Sequence, residues 1–90
     1  MMTKFEILGE NIRNQTKELI LNYMKQDENS QENGEGIKLA ELFRVCGLGW
    51  GEQPNATSSN QQYWLVALMR DLEKEGKVER DLGSKKWRLK

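Results

Sequence analysis

The stretch KVERDLGSKKWRLK, Lys77 to Lys90, decides the fold. Its charges crowd around one Gly-Ser dipeptide, Gly83-Ser84, which suits the two-residue turns of twisted hairpins. With that dipeptide at the turn, Val78 faces Leu89 and Arg80 faces Trp87 on one side of a β-ribbon. Glu79 faces Arg88 and Asp81 faces Lys86 on the other. Apolar meets apolar, a cation lies over an indole, and two pairs carry opposite charges, each contributing ~0.2–1 kcal/mol. A slip of one residue would send Trp87 and Leu89 to the wrong face. The stretch therefore reads as a hairpin, with most of its charge paired across the ribbon. Lys85 at the turn, and Lys77 and Lys90 at the far end, are left without partners.

Directly upstream, a third helix starts near Thr57 or Ser58, both good caps, and runs to Gly76. Plotted at 100° per residue, Trp64, Leu65, Leu68, Met69 and Leu72 share a sector of roughly 140°, the expected buried side. The opposite side reads Ser59, Tyr63, Val66, Ala67, Arg70 and Lys74. Asp71, Glu73 and Glu75 flank that stripe and none lies on it. Small apolar residues on a recognition helix meet thymine methyl groups, and arginine and lysine suit guanine or phosphate. Asn55, Asn60, Gln61 and Gln62 lie at the start of the helix, where amides can pair with adenine in the major groove. The same stripe, through Tyr63, Val66 and Ala67, also suits a protein partner.

Further upstream, Leu39, Leu42, Phe43 and Cys46 follow helical spacing and predict a short second helix stopped by Gly47. Ile37 before it stands alone, as a short strand on the edge of the hairpin. The long first helix is expected over NIRNQTKELILNYMKQ. Asn11 would be its cap, and Ile12, Thr16, Leu19, Ile20 and Tyr23 its apolar positions, with Met24 beside them. Residues 1–10 read as an N-terminal extension, in which a further turn of helix packs Phe5 and Leu8 and Gly9 weakens the join. Residues 27–36 read as a flexible loop, and the loop from Leu48 to Asn60 as a second one, with Trp50 on the core edge.

Helix, short strand, helix, loop, helix, hairpin is the order of a winged helix-turn-helix domain. The expected fold class is therefore α+β: a three-helix bundle with a C-terminal β-hairpin wing and a short first strand near Ile37. The 90 residues suffice for one such domain with one modest core.

Composition narrows the function. Net charge is zero, from 14 basic and 14 acidic side chains. Residues 1–62 carry six basic and nine acidic groups, and residues 63–90 eight and five. That asymmetry can orient the domain on a polyanion without making it strongly basic. There is no histidine, no Gly-rich phosphate loop and no acidic cluster with metal-ligand spacing, so neither catalysis nor a metal or cofactor is expected. Cys46, the one cysteine, falls on an apolar face and reads as a small core residue. No apolar run reaches the ~18 residues of a membrane span, and the N-terminus lacks a secretory pattern. The expectation is a cytoplasmic protein.

The C-terminal stretch YWLVALMRDLEKEGKVERDLGSKKWRLK resembles the end of many winged-helix domains. Its pattern is most similar to the N-terminal domain of Mrr-type restriction endonucleases. The matching features are the 48–59 loop between the second and third helices, Leu72, Gly76, Gly83, Trp87 and Leu89. The resemblance implies DNA contact through the third helix and wing, because that family's nuclease lies in a separate domain. The connection between helices is longer than in the usual helix-turn-helix, which leaves standard groove geometry open. Z-form nucleic-acid binders carry Asn-x-x-x-Tyr on the third helix and a proline in the wing. Aligned on Gly76, Val66 and Arg70 stand at those helix positions and the wing has no proline, so that subclass is excluded.

The expected function is that of a small winged-helix DNA-binding protein, such as a transcription regulator. Ser59, Asn60, Gln62, Tyr63, Ala67, Arg70 and Lys74 of the third helix and Lys85 of the wing would contact duplex DNA. A chain this small and neutral binds DNA weakly alone, which implies a homodimer or a larger partner. The alternative is a protein-interaction module on the outer face of the same helix.

Overall fold

Trp87 is buried, with Arg80 paired on one side of it and Ile37 on the other. The computed structural model describes residues 1–49 and 58–90, with side chains for 1–49 and 63–90. Among these, three helices and an antiparallel hairpin make a small α+β fold. Their order is α1 (Lys4–Gln26), a 3₁₀ turn (Glu28–Ser30), α2 (Leu39–Val45), α3 (Ser58–Lys74), β1 (Val78–Arg80) and β2 (Trp87–Leu89). The register is Val78 with Leu89, Glu79 with Arg88 and Arg80 with Trp87, as the pairing logic of the sequence requires. Ile37 adds to the free edge of β2. Its N–H donates to the Trp87 carbonyl at 2.8 Å and the Trp87 N–H donates back at 2.9 Å.

Gly36 makes that close approach possible. Its φ is +92°, and a Cβ there would lie 2.8 Å from the Lys86 Cβ and 3.1 Å from the Trp87 carbonyl oxygen. Only glycine meets both demands. The core beneath comprises Ile20, Met24, Ile37, Leu42, Phe43, Leu65, Leu68, Met69, Leu72, Val78 and Trp87. Cys46 is half-buried at its margin, and burial pushes its thiol pKa up. Both α2 and α3 end in Schellman caps. For α3, the Lys77 N–H reaches the Leu72 carbonyl and the Gly76 N–H that of Glu73, both at 3.0 Å.

Several expectations need correction. α1 does not begin at Asn11 but at Lys4, and it runs unbroken through Gly9. Thr3 and Glu6 form a capping box there, each side chain accepting from the other residue's backbone N–H. Phe5, Leu8, Ile12 and Leu19 do not pack inward; all are exposed. Of the expected positions, Thr16 and Ile20 do face the core, together with Met24. Residues 27–36 are ordered by specific bonds rather than forming an open loop. The Gln31 amide nitrogen lies 2.7–3.0 Å from the carbonyls of Met24, Lys25 and Asp27, covering the end of α1. Ser30 is fully buried and its hydroxyl donates to Asp27 at 2.6 Å. The part of the second loop from Trp50 to Thr57, including Asn55 and the expected packing of Trp50, lies outside the described residues.

The hairpin turn also differs. Gly83 does not take a positive φ; Lys85 does, at +64°. The Lys85 N–H donates to the Asp81 carbonyl at 2.7 Å, and the Asp81 N–H to the Lys86 carbonyl at 2.8 Å. The turn is thus two residues longer than Gly83-Ser84. Asp81 is the reason: its carboxylate accepts from the Ser84 N–H at 2.7 Å and the Ser84 hydroxyl at 2.8 Å. These bonds, the backbone one first, hold its pKa below the ordinary value.

Candidate nucleic-acid interface

The outer side of α3 is built by elimination. Leu65, Leu68, Met69 and Leu72 are drawn into the core, and two neighbours claim the flanks. On one flank stands α1, whose Lys17 ammonium bridges Asp71 at 3.1 Å and Glu75 at 2.7 Å. The bond to Glu75 raises the Lys17 pKa and lowers that of Glu75. On the other flank stands the β1–β2 hairpin. Arg70 places its guanidinium 5.5 Å from the centre of the Trp87 indole and bonds Glu73 at 3.2 Å. All three acids beside the outer face are thereby paired with a cation. Between the flanks Tyr63, Ala67 and Lys74 are open to solvent, with Val66 half-buried.

The predicted site residues separate accordingly. Tyr63, Ala67 and Lys74 lie on the outer face, as the helical plot placed them. Arg70 is exposed too, but its guanidinium leans onto Trp87 and Glu73 rather than standing free. Ser59, Asn60 and Gln62 belong to the backbone of α3, and their side chains lie outside the described residues. Trp64, expected in the core, is about half exposed beside the N-terminal half of α1.

Lys85 occupies the tip of the hairpin, exposed and without an ion pair to a described residue. Of the two ion pairs expected across the hairpin, Glu79 with Arg88 forms and Asp81 with Lys86 does not. Arg88 takes both acids of the hairpin, Glu79 at 3.2 Å and Asp81 at 3.6 Å. Lys86, expected opposite Asp81, has no ion pair among the described residues, whereas Lys77, expected to be free, bonds Glu75 at 3.3 Å. Lys85 is thus the exposed cation of the hairpin tip, whereas Lys86 is half-buried against Gly36 and lines a pocket with Asp27 and Glu41.

One residue escaped the sequence reading as a site member. Arg80 reaches the same indole as Arg70, at 6.0 Å from the ring centre, so two guanidiniums attend Trp87 where α3 meets the wing. Its Nε is buried without a partner among the described residues. The signal was present in the hairpin register, which sets Arg80 over Trp87, but nothing in the pattern joined Arg70 to them.

Among the described residues no helix is long and apolar enough to cross a membrane, and no group of histidine, cysteine or acidic side chains is placed to hold a metal ion. Compared with protein-family models, with curated proteins and with solved structures, the chain matches none.

Proposed function

We propose that the chain is a winged-helix DNA-binding protein, with α3 in the major groove and the hairpin wing on the phosphate backbone. The observation that carries the reading is the outer face of α3. It presents Tyr63, Ala67 and Lys74 with no acid among them, and each acid on its flanks is tied to Lys17 or Arg70. A polyanion can approach such a face without meeting an unpaired carboxylate. Support for the fold comes from the order of elements and from Ile37 bridging to the wing. Arg70 and Arg80 add positive charge where helix and wing join. No catalytic, metal or cofactor role is part of the proposal.

Titration of duplex DNA at two salt concentrations tests it. Binding should weaken as salt rises, with a log–log slope of about −0.9 per phosphate neutralised. Lys74→Ala and Lys85→Ala should each reduce that slope by about 1. Absence of binding at ~50 mM salt, where phosphate-driven affinity is strong, would sink the reading.

A second reading is favoured by one specific observation: Tyr63 is 72% exposed on the outer face of α3. Aromatic side chains in the open are typical anchors for a protein partner. That reading predicts binding with little salt dependence, lost in Tyr63→Ala.

A further inference from the structure

α1 carries a second pattern besides its core face. Phe5, Leu8, Ile12, Gln15 and Leu19 follow at alternating steps of three and four, the a/d spacing of a coiled-coil seam. This seam points away from the domain's own core. Phe5 is 81% exposed, Leu8 48%, Ile12 57% and Leu19 41%. The interior of α1 also holds a glycine, Gly9, at the pocket that Ile12 and Trp64 help to line. Gly9 has ordinary helical φ and nothing within 4 Å of where a Cβ would stand, although glycine weakens a helix relative to alanine.

We propose that two copies of the chain associate through this seam, α1 against α1 in antiparallel orientation. The charges choose the orientation. With Phe5, Ile12 and Leu19 at a positions, the g positions are Lys4, Asn11 and Glu18. In an antiparallel pair centred near Glu10, Leu8 packs on Ile12 of the second copy. Lys4 then meets Glu18 of the second copy twice over, once on each side of the two-fold axis. Neither Lys4 nor Glu18 has an ion pair among the described residues of its own chain. A parallel pair would set Lys4 against Gly9 and Glu18 against Tyr23, with no complementarity. The antiparallel register also brings Gly9 against Gly9 at the axis, where the absence of a side chain lets the backbones approach.

The area sets the strength. Four partly exposed apolar side chains cover less than the ~800 Å² per partner of a standard stable interface. The association is therefore a reversible one with a dissociation constant of about 10–100 μM, and it stands whether or not the chain binds DNA.

Sedimentation equilibrium of the full chain from about 5 to 500 μM covers that range. A monomer–dimer equilibrium is expected, abolished by Leu8→Glu with an unchanged circular dichroism spectrum. Lys4→Glu and Glu18→Lys should each weaken dimerisation by roughly three- to tenfold, and the double variant should restore it. Gly9→Ala should weaken the dimer while raising monomer thermal stability. A chain that stays monomeric across the range overturns the proposal. So does a dimer indifferent to Leu8→Glu, or a charge-swapped double variant no better than its parents. The charge-swap arm keeps the test decisive even if Leu8→Glu disturbs folding.

Discussion

Lys85 is asked to serve two ends at once, and replacing it separates them. Its φ of +64° places a side chain in the left-handed region, which costs a residue with a Cβ about 1–2 kcal/mol. Glycine escapes that cost but gives up about 0.5–1 kcal/mol of extra chain entropy on folding. Lys85→Gly breaks no ion pair among the described residues, and the N–H that closes the turn on Asp81 remains. The net expectation is a gain of about 0.5–1 kcal/mol. In a domain of 90 residues that is a rise in Tm of about 2–6 °C. Lys85→Ala keeps the positive φ and should leave stability within about 0.5 kcal/mol. Both variants remove the same charge, so both should lose about one unit of salt slope in DNA binding. Thermal melts followed by circular dichroism, paired with the titration, read the two effects separately. A Tm for Lys85→Gly at or below that of Lys85→Ala would refute the conformational argument. Unchanged binding in both would remove Lys85 from the interface.

Three other perturbations test the structure from other sides. Gly36→Ala forces a Cβ to 2.8 Å from the Lys86 Cβ at an unfavourable φ, and should cost about 1–3 kcal/mol by chemical denaturation. Lys17→Met should cost about 0.3–1 kcal/mol at neutral pH. Because Glu75 titrates below its ordinary 4.5, the cost should shrink as pH falls through the folded value of Glu75. Because Lys17 titrates above 10.5, the difference should persist to that pH and fade only beyond it. Cys46 should react with iodoacetamide more slowly than a free thiol at pH 8, since burial raises its pKa, and unfolding should abolish the difference.

The hairpin was legible in the sequence because a two-residue period couples every pair, so one register satisfied all of them. Its turn was not, because Gly83-Ser84 permits a tight turn without demanding it, and the Asp81 carboxylate closes a longer one on Ser84. The start of α1 was not found: the expectation places the cap at Asn11, whereas Thr3 and Glu6 form the capping box, because local cap chemistry does not say where a periodic run begins. Helical periodicity found the apolar positions of α1 and α3 but cannot say what covers them, which is why Leu19 and Trp64 were placed inside. The acid-free stripe of α3 followed from angle alone. The turning of Arg70 onto Trp87 did not, because a side chain of that length reaches beyond the sector its Cα occupies.

The bridge between Ile37 and Trp87 bears on the order in which the domain assembles. The hairpin closes over a short loop, so its pairing can form early and cheaply. The two bonds that tie Ile37 to it join segments half the chain apart, and they cannot form until the intervening helices have gathered. Opening them means peeling α2 and its leading strand from the rest of the core. The Ile37 and Trp87 amides should therefore exchange with solvent deuterium together, at the rate of whole-domain opening. The amides near the wing tip, held only by the turn, should exchange far sooner.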